Sequence, residues 1–319
     1  MKKLINLFFI SCTAFTIYGQ ELTIPAQTQY LADNPFALSP VFAGIGDNAR
    51  IRVNGLAQWV GIKNAPLNQS LTADFRITDN DGIGLIAYND KNGNTRQAGI
   101  KLAFAHHIIL DYDSEQYLSF GASYNFNQFR IEVQNFDQTI FDPYVNGDRY
   151  TPNNNFDIGL LYRIKDFYLS VNASNILGKK IETFYKLEPS ALLNYQVYTG
   201  YRFRQPGSDF EIEPSVLYQL FQSDKRSTTD ANLKFKWHDY DDYYWAGITA
   251  RFLNEQDFTP VTLGPMLGLR KSNFYFGYSY QFNTNNLLGY NSGTHMITLG
   301  IDFLQNLSNC PCTKTRIAY

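Results

Sequence analysis

From Ala49 onward the chain alternates. Ile51, Val53, Gly55, Ala57 and Trp59 fall on one face of an extended segment and Arg50, Arg52, Asn54 and Gln58 on the other, with Leu56 the one exception. A period of two is what a strand with one greasy and one wet face requires. The same pattern returns at Leu67 to Ile77, where Leu71, Ala73 and Phe75 alternate with Ser70, Thr72, Asp74 and Arg76. It returns again with Ile100, Leu102 and Phe104 against Lys101, and with Phe120, Ala122, Tyr124 and Phe126 against Ser119, Gly121, Ser123 and Asn125. Further segments near 83–89, 155–164, 166–175, 191–204, 209–222, 228–239, 242–253, 260–270, 273–283 and 293–304 bring the predicted total to fourteen strands. Most run nine to fourteen residues, long enough for a tilted strand to cross a hydrocarbon core.

The connections alternate too. Short turns are expected at 78–81, 110–115, near Lys165, and at 205–208, 240–241 and 271–272; longer loops at 61–66, 90–95, 128–154, 176–190, 223–227, 254–259 and 284–292. A transmembrane antiparallel β-barrel has this parity, with tight periplasmic turns, longer outer loops and both termini in the periplasm. A soluble sandwich would also alternate, but its strands average about five or six residues. Phe274, Phe276, Tyr278, Tyr280 and Phe282 share one face, which fits an aromatic girdle better than a sandwich core. Trp59, closing the first strand, is expected at the outer membrane interface.

Composition agrees with a wall in lipid: aromatics make up 16% of the chain and charged residues 18%. The formal net charge is −2, which gives no basic field for nucleic acid. Residues 1–19 read as a secretory signal, with Lys2-Lys3, an apolar run from Leu4 to Ile10, and Gly19 before the expected cleavage. A competing reading makes Cys12 a lipidated residue, but apolar residues continue past it. No later run of eighteen apolar residues exists, so membrane passage is expected by strands alone.

The stretch 27–62 also carries a resemblance. Gln29-Tyr30, Asn34-Pro35, Ser39-Pro40, Phe42-Ala43-Gly44, Arg50, Arg52 and Gln58-Trp59 resemble the start of the PorP/SprF family, outer-membrane proteins of type IX secretion and gliding motility in Bacteroidetes. Tyr290 to His295, with Cys310-Pro311, is similar to that family's last strand and tail, and Ser39 departs from the expected Asn. The resemblance implies export and surface attachment of a secreted cargo or adhesin bearing a type IX C-terminal sorting domain. It also implies contact with periplasmic lipoprotein components of the machine. The rival reading is a diffusion channel for hydrophobic small molecules similar to the FadL transporters; the inward positions, dense with Arg, Lys, Glu, Asn and Gln, suit a closed polar interior instead.

Chemistry is sparse. His106 and His107 are adjacent on a strand and must point to opposite faces, and no G-x-S-x-G motif or phosphate loop appears, so no enzyme, cofactor or metal is expected. Cys310 and Cys312 are expected in an exposed tail, 305–319, with a bridge disfavoured by strain. Residues 20–48 precede the first strand and carry Tyr30, Leu31, Phe36, Leu38, Val41 and Phe42, which a free tail would not need. They are expected either to cap the barrel or to fold into the lumen as a plug. The seal would then involve Asn34, Pro35, Pro40, Gly44 and Asn48 with Arg50, Arg52, Asp74 and Arg76 of the wall. Loops 128–154 and 176–190 are the expected cargo surface, with Phe136, Phe141, Tyr144 and Tyr150 as aromatic anchors.

Overall fold

In the computed structural model, residues 28–46, 49–132, 149–178, 193–205, 207–222, 225–255, 260–284, 286–303 and 310–313 are described. The strands are β1 (Ala49–Ala57), β2 (Leu67–Arg76), β3 (Asp81–Asn92), β4 (Thr95–Asp111), β5 (Gln116–Ile131), β6 (Arg149–Ile164), β7 (Phe167–Ser174), β8 (Asn194–Tyr201), β9 (Phe203–Arg204), β10 (Phe210–Phe221), β11 (Ser227–Asp239), β12 (Asp242–Leu253), β13 (Pro260–Lys271), β14 (Phe274–Asn283) and β15 (Thr294–Phe303). Strands β8 and β9 both pair with β10 and form one stave, interrupted at Arg202. Each stave pairs antiparallel with its sequence neighbour, and β15 returns to β1 in register from Ala49↔Phe303 to Ala57↔His295. The sheet is therefore a closed barrel of fourteen staves, and no edge is left along its length.

Its polarity is inverted relative to a water-soluble protein. On β2, Asn68, Ser70, Thr72, Asp74 and Arg76 are buried while Leu67, Leu71 and Phe75 are exposed. Leu102 is 56% exposed and Arg52 only 2%. Charges inside and aliphatic side chains outside make sense only when the outer solvent is lipid. No helix among the described residues is long and apolar enough to cross a membrane.

Several sequence expectations are corrected. The first strand ends at Ala57, and Trp59 lies two residues beyond it with φ of 48°; this left-handed backbone takes the chain out of the ladder. Leu56 is not a lapse in the pattern but a buried lumen residue. The hairpin of β5 and β6 runs on from Gln128↔Pro152 to Ile131↔Arg149, so both ends of the expected loop 128–154 are paired strand. Residues 133–148 and 179–192, with Phe136, Phe141 and Tyr144, lie outside the described residues, as do residues 1–27, with the expected signal, and Asn48.

The cysteine tail is also corrected. Cys310 and Cys312 are joined by a disulfide, their Cα atoms 5.3 Å apart, and the described residues 310–313 are not exposed. Cys312 and Thr313 are fully buried at the barrel end that carries the short turns. There Arg163 Nη2 donates to the Cys312 carbonyl at 2.5 Å, and Gly46 N donates to the Thr313 carbonyl at 3.1 Å. A buried arginine with a carbonyl to satisfy, and a backbone N–H with no ladder partner, account for this return of the chain into the barrel mouth.

Candidate functional site

Residues 28–46 sit inside the ring of strands. Each X-Pro step shapes the path, because proline fixes φ and pushes its predecessor out of the helical region. The chain runs through three short 3-10 turns, Gln29–Leu31, Pro35–Ala37 and Pro40–Phe42, the last two opening on Pro35 and Pro40. Ser39 caps the third, its Oγ accepting from Val41 N.

The segment's apolar side chains form the centre of the molecule's buried cluster. Tyr30, Leu31, Phe36, Leu38, Val41, Phe42 and Ile45 pack with Leu56, Ile86, Leu161, Tyr198 and Trp245 of the wall. Tyr30 and Phe42 both meet the Tyr198 ring edge-on, at centroid distances of 5.4 and 6.4 Å. Two wall glycines make the fit possible. A Cβ at Gly84 would lie 2.2 Å from the Phe36 ring, and one at Gly121 would lie 2.5 Å from Val41 N.

Polar contacts fix the segment on every side. Gln29 Nε2 donates to Asn68 at 2.5 Å and its Oε1 accepts from Ser70 at 2.8 Å; Asn34 donates to Thr72 at 3.0 Å. Asp74 pairs with Arg50 and accepts from Gly44 N at 3.1 Å, while Arg76 donates to the carbonyls of Gly44 and Gly46. His107 Nε2 faces the Ala43 carbonyl at 3.0 Å and its Nδ1 faces Ser119 Oγ at 2.8 Å. A carbonyl cannot donate, so the proton sits on Nε2 and Nδ1 accepts from the serine. His106 points outward to Asp81 at 2.7 Å, so the two histidines do not share a site.

An electrostatic clasp on β11 adds to these contacts. Asp33 Oδ1 is 2.6 Å from Lys234 Nζ and its Oδ2 is 3.6 Å from Lys236 Nζ. Burial by itself raises the Asp33 pKa, but Lys234 and Lys236 outweigh it and hold the carboxyl below its ordinary value. Lys234 lies over the Trp245 ring and Lys236 over the Tyr243 ring. Nearby, Tyr30 Oη donates to Asp230 at 3.2 Å, and Asp230 also holds Arg251 at 2.6 and 2.7 Å. Burial and the Asp230 charge push the Tyr30 phenol well above its ordinary pKa, so it remains a donor.

The sequence-predicted residues are thus partly brought together. Gly44, Arg50, Asp74 and Arg76 meet in one network, Asn34 bonds to Thr72 instead, and Pro35 and Pro40 shape the segment. Arg52 turns instead to Asp302 and lies 4.5 Å over the Tyr275 ring. Tyr150 enters β6 opposite Arg130. Asp33, Gln29 and Ser39 were not anticipated as contacts of the segment, whereas His107 is the hydrogen-bonded lumen residue that its place on the wet face implies. Lys234 and Lys236 are two cations on one wet face, where Asp33 joins Glu213 and Glu211 of the neighbouring strand.

Fold and lumen define the class: an outer-membrane β-barrel whose polar interior is packed with its own chain. Within that class the model of the type IX secretion system membrane protein PorP/SprF matches residues 19–301. The chain belongs to that family, which is a family of secretion-system membrane proteins. No curated protein matches it. Similar solved structures include the deltaS2S3 mutant of the monoaromatic hydrocarbon channel TodX, at 9% identity over 86% of this chain and 94% of that one, with a TM-score of 0.49. A FadL homologue of Pseudomonas aeruginosa aligns at 10% identity over 80% of this chain and 90% of its own, with a TM-score of 0.48. Omp33 of Acinetobacter baumannii aligns at 9% identity over 81% and 99%, with a TM-score of 0.44.

Proposed function

We propose that this barrel serves type IX secretion and gliding by receiving one secreted cargo or adhesin, through its C-terminal sorting domain, and holding it at the cell surface. Family membership over residues 19–301 is the observation that carries this reading. In it, both termini and the short turns face the periplasm, where the turn end meets lipoprotein components of the machine. The inner segment 28–46 closes the lumen, so the barrel is a platform and not a pore. The extensive contacts of that segment with Arg, Lys, Asp and Asn of the wall support closure. They weigh against a FadL-like diffusion route, which needs an apolar path.

The cargo surface is assigned to the outer connection between β5 and β6 and to 176–190, with Phe136, Phe141 and Tyr144 as anchors and Tyr150 at the start of β6 beside them. Aromatic side chains in such a loop are costly to leave in water without a partner. Replacing Phe141 and Tyr144 by Ser should remove anchors worth roughly 1–3 kcal/mol each, weakening the complex about tenfold or more per residue. Co-purification of the surface client with the barrel reads this out, with heat-modifiable gel migration as the folding control. Full client recovery by a normally folded double variant would refute the loop assignment.

A further inference from the structure

At the end of the barrel that carries the short turns, a cavity of about 510 Å³ lies between the 78–81 turn, the end of β4 and the tail. Asn80, Ile109, Cys310 and Pro311 line it, together with His106 and Tyr112, whose side chains are exposed. The two sulfurs of the Cys310–Cys312 bridge are therefore not equivalent. Cys310 belongs to the cavity wall and is 8% exposed, whereas Cys312 does not line the cavity and is fully buried.

A bridge across one intervening residue closes the smallest kind of loop, so it gains least from constraining the unfolded chain. Its effect is local instead. It holds the turn 310–313, in which Thr313 N and Thr313 Oγ1 also donate to the Cys310 carbonyl, at 3.3 and 3.1 Å. That turn aims the Cys312 carbonyl at Arg163 and the Thr313 carbonyl at Gly46 N, the foot of the inner segment. Asn80 ties the same corner to the wall, its Nδ2 donating to the His107 carbonyl at 2.7 Å and lying 3.6 Å from Cys312 Sγ. His107 in turn holds the Ala43 carbonyl.

We propose that the Cys310–Cys312 bridge is a thiol–disulfide exchange site, entered from this cavity by a dithiol, and that its reduction releases the foot of the inner segment. The attacking thiolate bonds to Cys310 Sγ as the Cys310–Cys312 bond breaks, and Cys312 leaves as a thiolate that takes up the proton given off by the attacking thiol. The second sulfur of the dithiol then displaces Cys310 from the mixed disulfide and closes the dithiol's own bridge. Two electrons pass from dithiol to protein. The freed Cys312 thiol has an acceptor in reach, the Asp79 carbonyl 3.8 Å from its Sγ. With the bridge open the turn no longer fixes the Thr313 carbonyl, and Gly46 N loses its acceptor. The dithiol belongs to the periplasm, which rests on the reading above that the turn end faces that compartment.

The test uses the full chain as a folded barrel in detergent, with dithiothreitol as the dithiol. Free thiols are trapped with N-ethylmaleimide and counted by mass spectrometry, and amide exchange is followed across residues 28–46. Reduced wild type should carry two more labels than untreated barrel, and exchange at 43–46 should rise about tenfold while 29–38 stays unchanged. Cys310→Ser/Cys312→Ser should show the faster exchange without reductant and no response to it. The single variants test the route: Cys310 in Cys312→Ser should take the maleimide about tenfold faster than Cys312 does in Cys310→Ser. A barrel that gains labels only after boiling, or reduction that leaves 43–46 unmoved, would overturn the proposal. Equal labelling of the two cysteines would overturn the cavity as the way in. Heat-modifiable migration checks folding, and the wild-type arms decide the matter where a variant fails to fold. Both ends of the barrel meet solvent in detergent, so none of these results depends on which end faces the periplasm; an impermeant maleimide applied to reduced cells reports that separately.

Discussion

Asp33 is one carboxylate shared by two buried ammonium groups on β11, Lys234 and Lys236, which without it keep Glu213 and Glu211 of β10 as opposite neighbours in a low-dielectric lumen. Breaking a buried pair from one side costs about 3–5 kcal/mol. Asp33→Asn should therefore open the inner segment and speed amide hydrogen exchange across residues 28–46 by about a hundredfold or more at neutral pH. The pH dependence has a definite sign. Because Lys234 and Lys236 overcome burial and depress the Asp33 pKa, its contribution is complete above the ordinary value near 3.8 and fades only as pH falls through the lower folded value. The gap in exchange between wild type and variant should stay constant from pH 7 to about 4 and close below that. A gap that closes near pH 6 would show that another group holds the segment. At this scale the sequence was half legible. Arg50, Asp74 and Arg76 announced themselves as charges on the wet face of otherwise greasy strands. Asp33 did not, because a lone Asp before Asn34-Pro35 reads as a turn residue until its partners, about two hundred positions later, are brought across the lumen.

At the level of elements, the staves were legible because a wall between lipid and a polar interior forces a contrast at every second residue. The contrast fades at the far ends of β5 and β6, since Gln128, Arg130 and Asn154 put polar groups on the outward face as well, and there the paired ends read as loop. The seating of the tail was hidden for a different reason. Cys310 and Cys312 have no periodicity, and only the closed ring brings Arg163 and Gly46 to them. Fit between segment and wall gives a second prediction. Gly84→Val puts branched carbon into space filled by the Phe36 ring, so the segment should lose exchange protection while heat-modifiable migration persists. Adding Phe36→Ala should restore much of that protection. Failure of the second change to rescue the first would mean that Gly84 acts on strand pairing instead.

For the whole molecule, the apolar cluster that normally holds a domain together is here built around residues 28–46 inside a polar ring, while lipid covers the outside. On the proposed reading such a barrel keeps its wall by strand pairing and its closure by the inner segment, so the two are separable. The most direct test is single-channel conductance in a planar bilayer, comparing the wild-type barrel with one lacking residues 28–44, both first shown to migrate as folded barrels before boiling. The account predicts a silent wild type and a deletion variant with a steady ohmic conductance. A wild-type barrel that conducts as well as the deletion variant would contradict it.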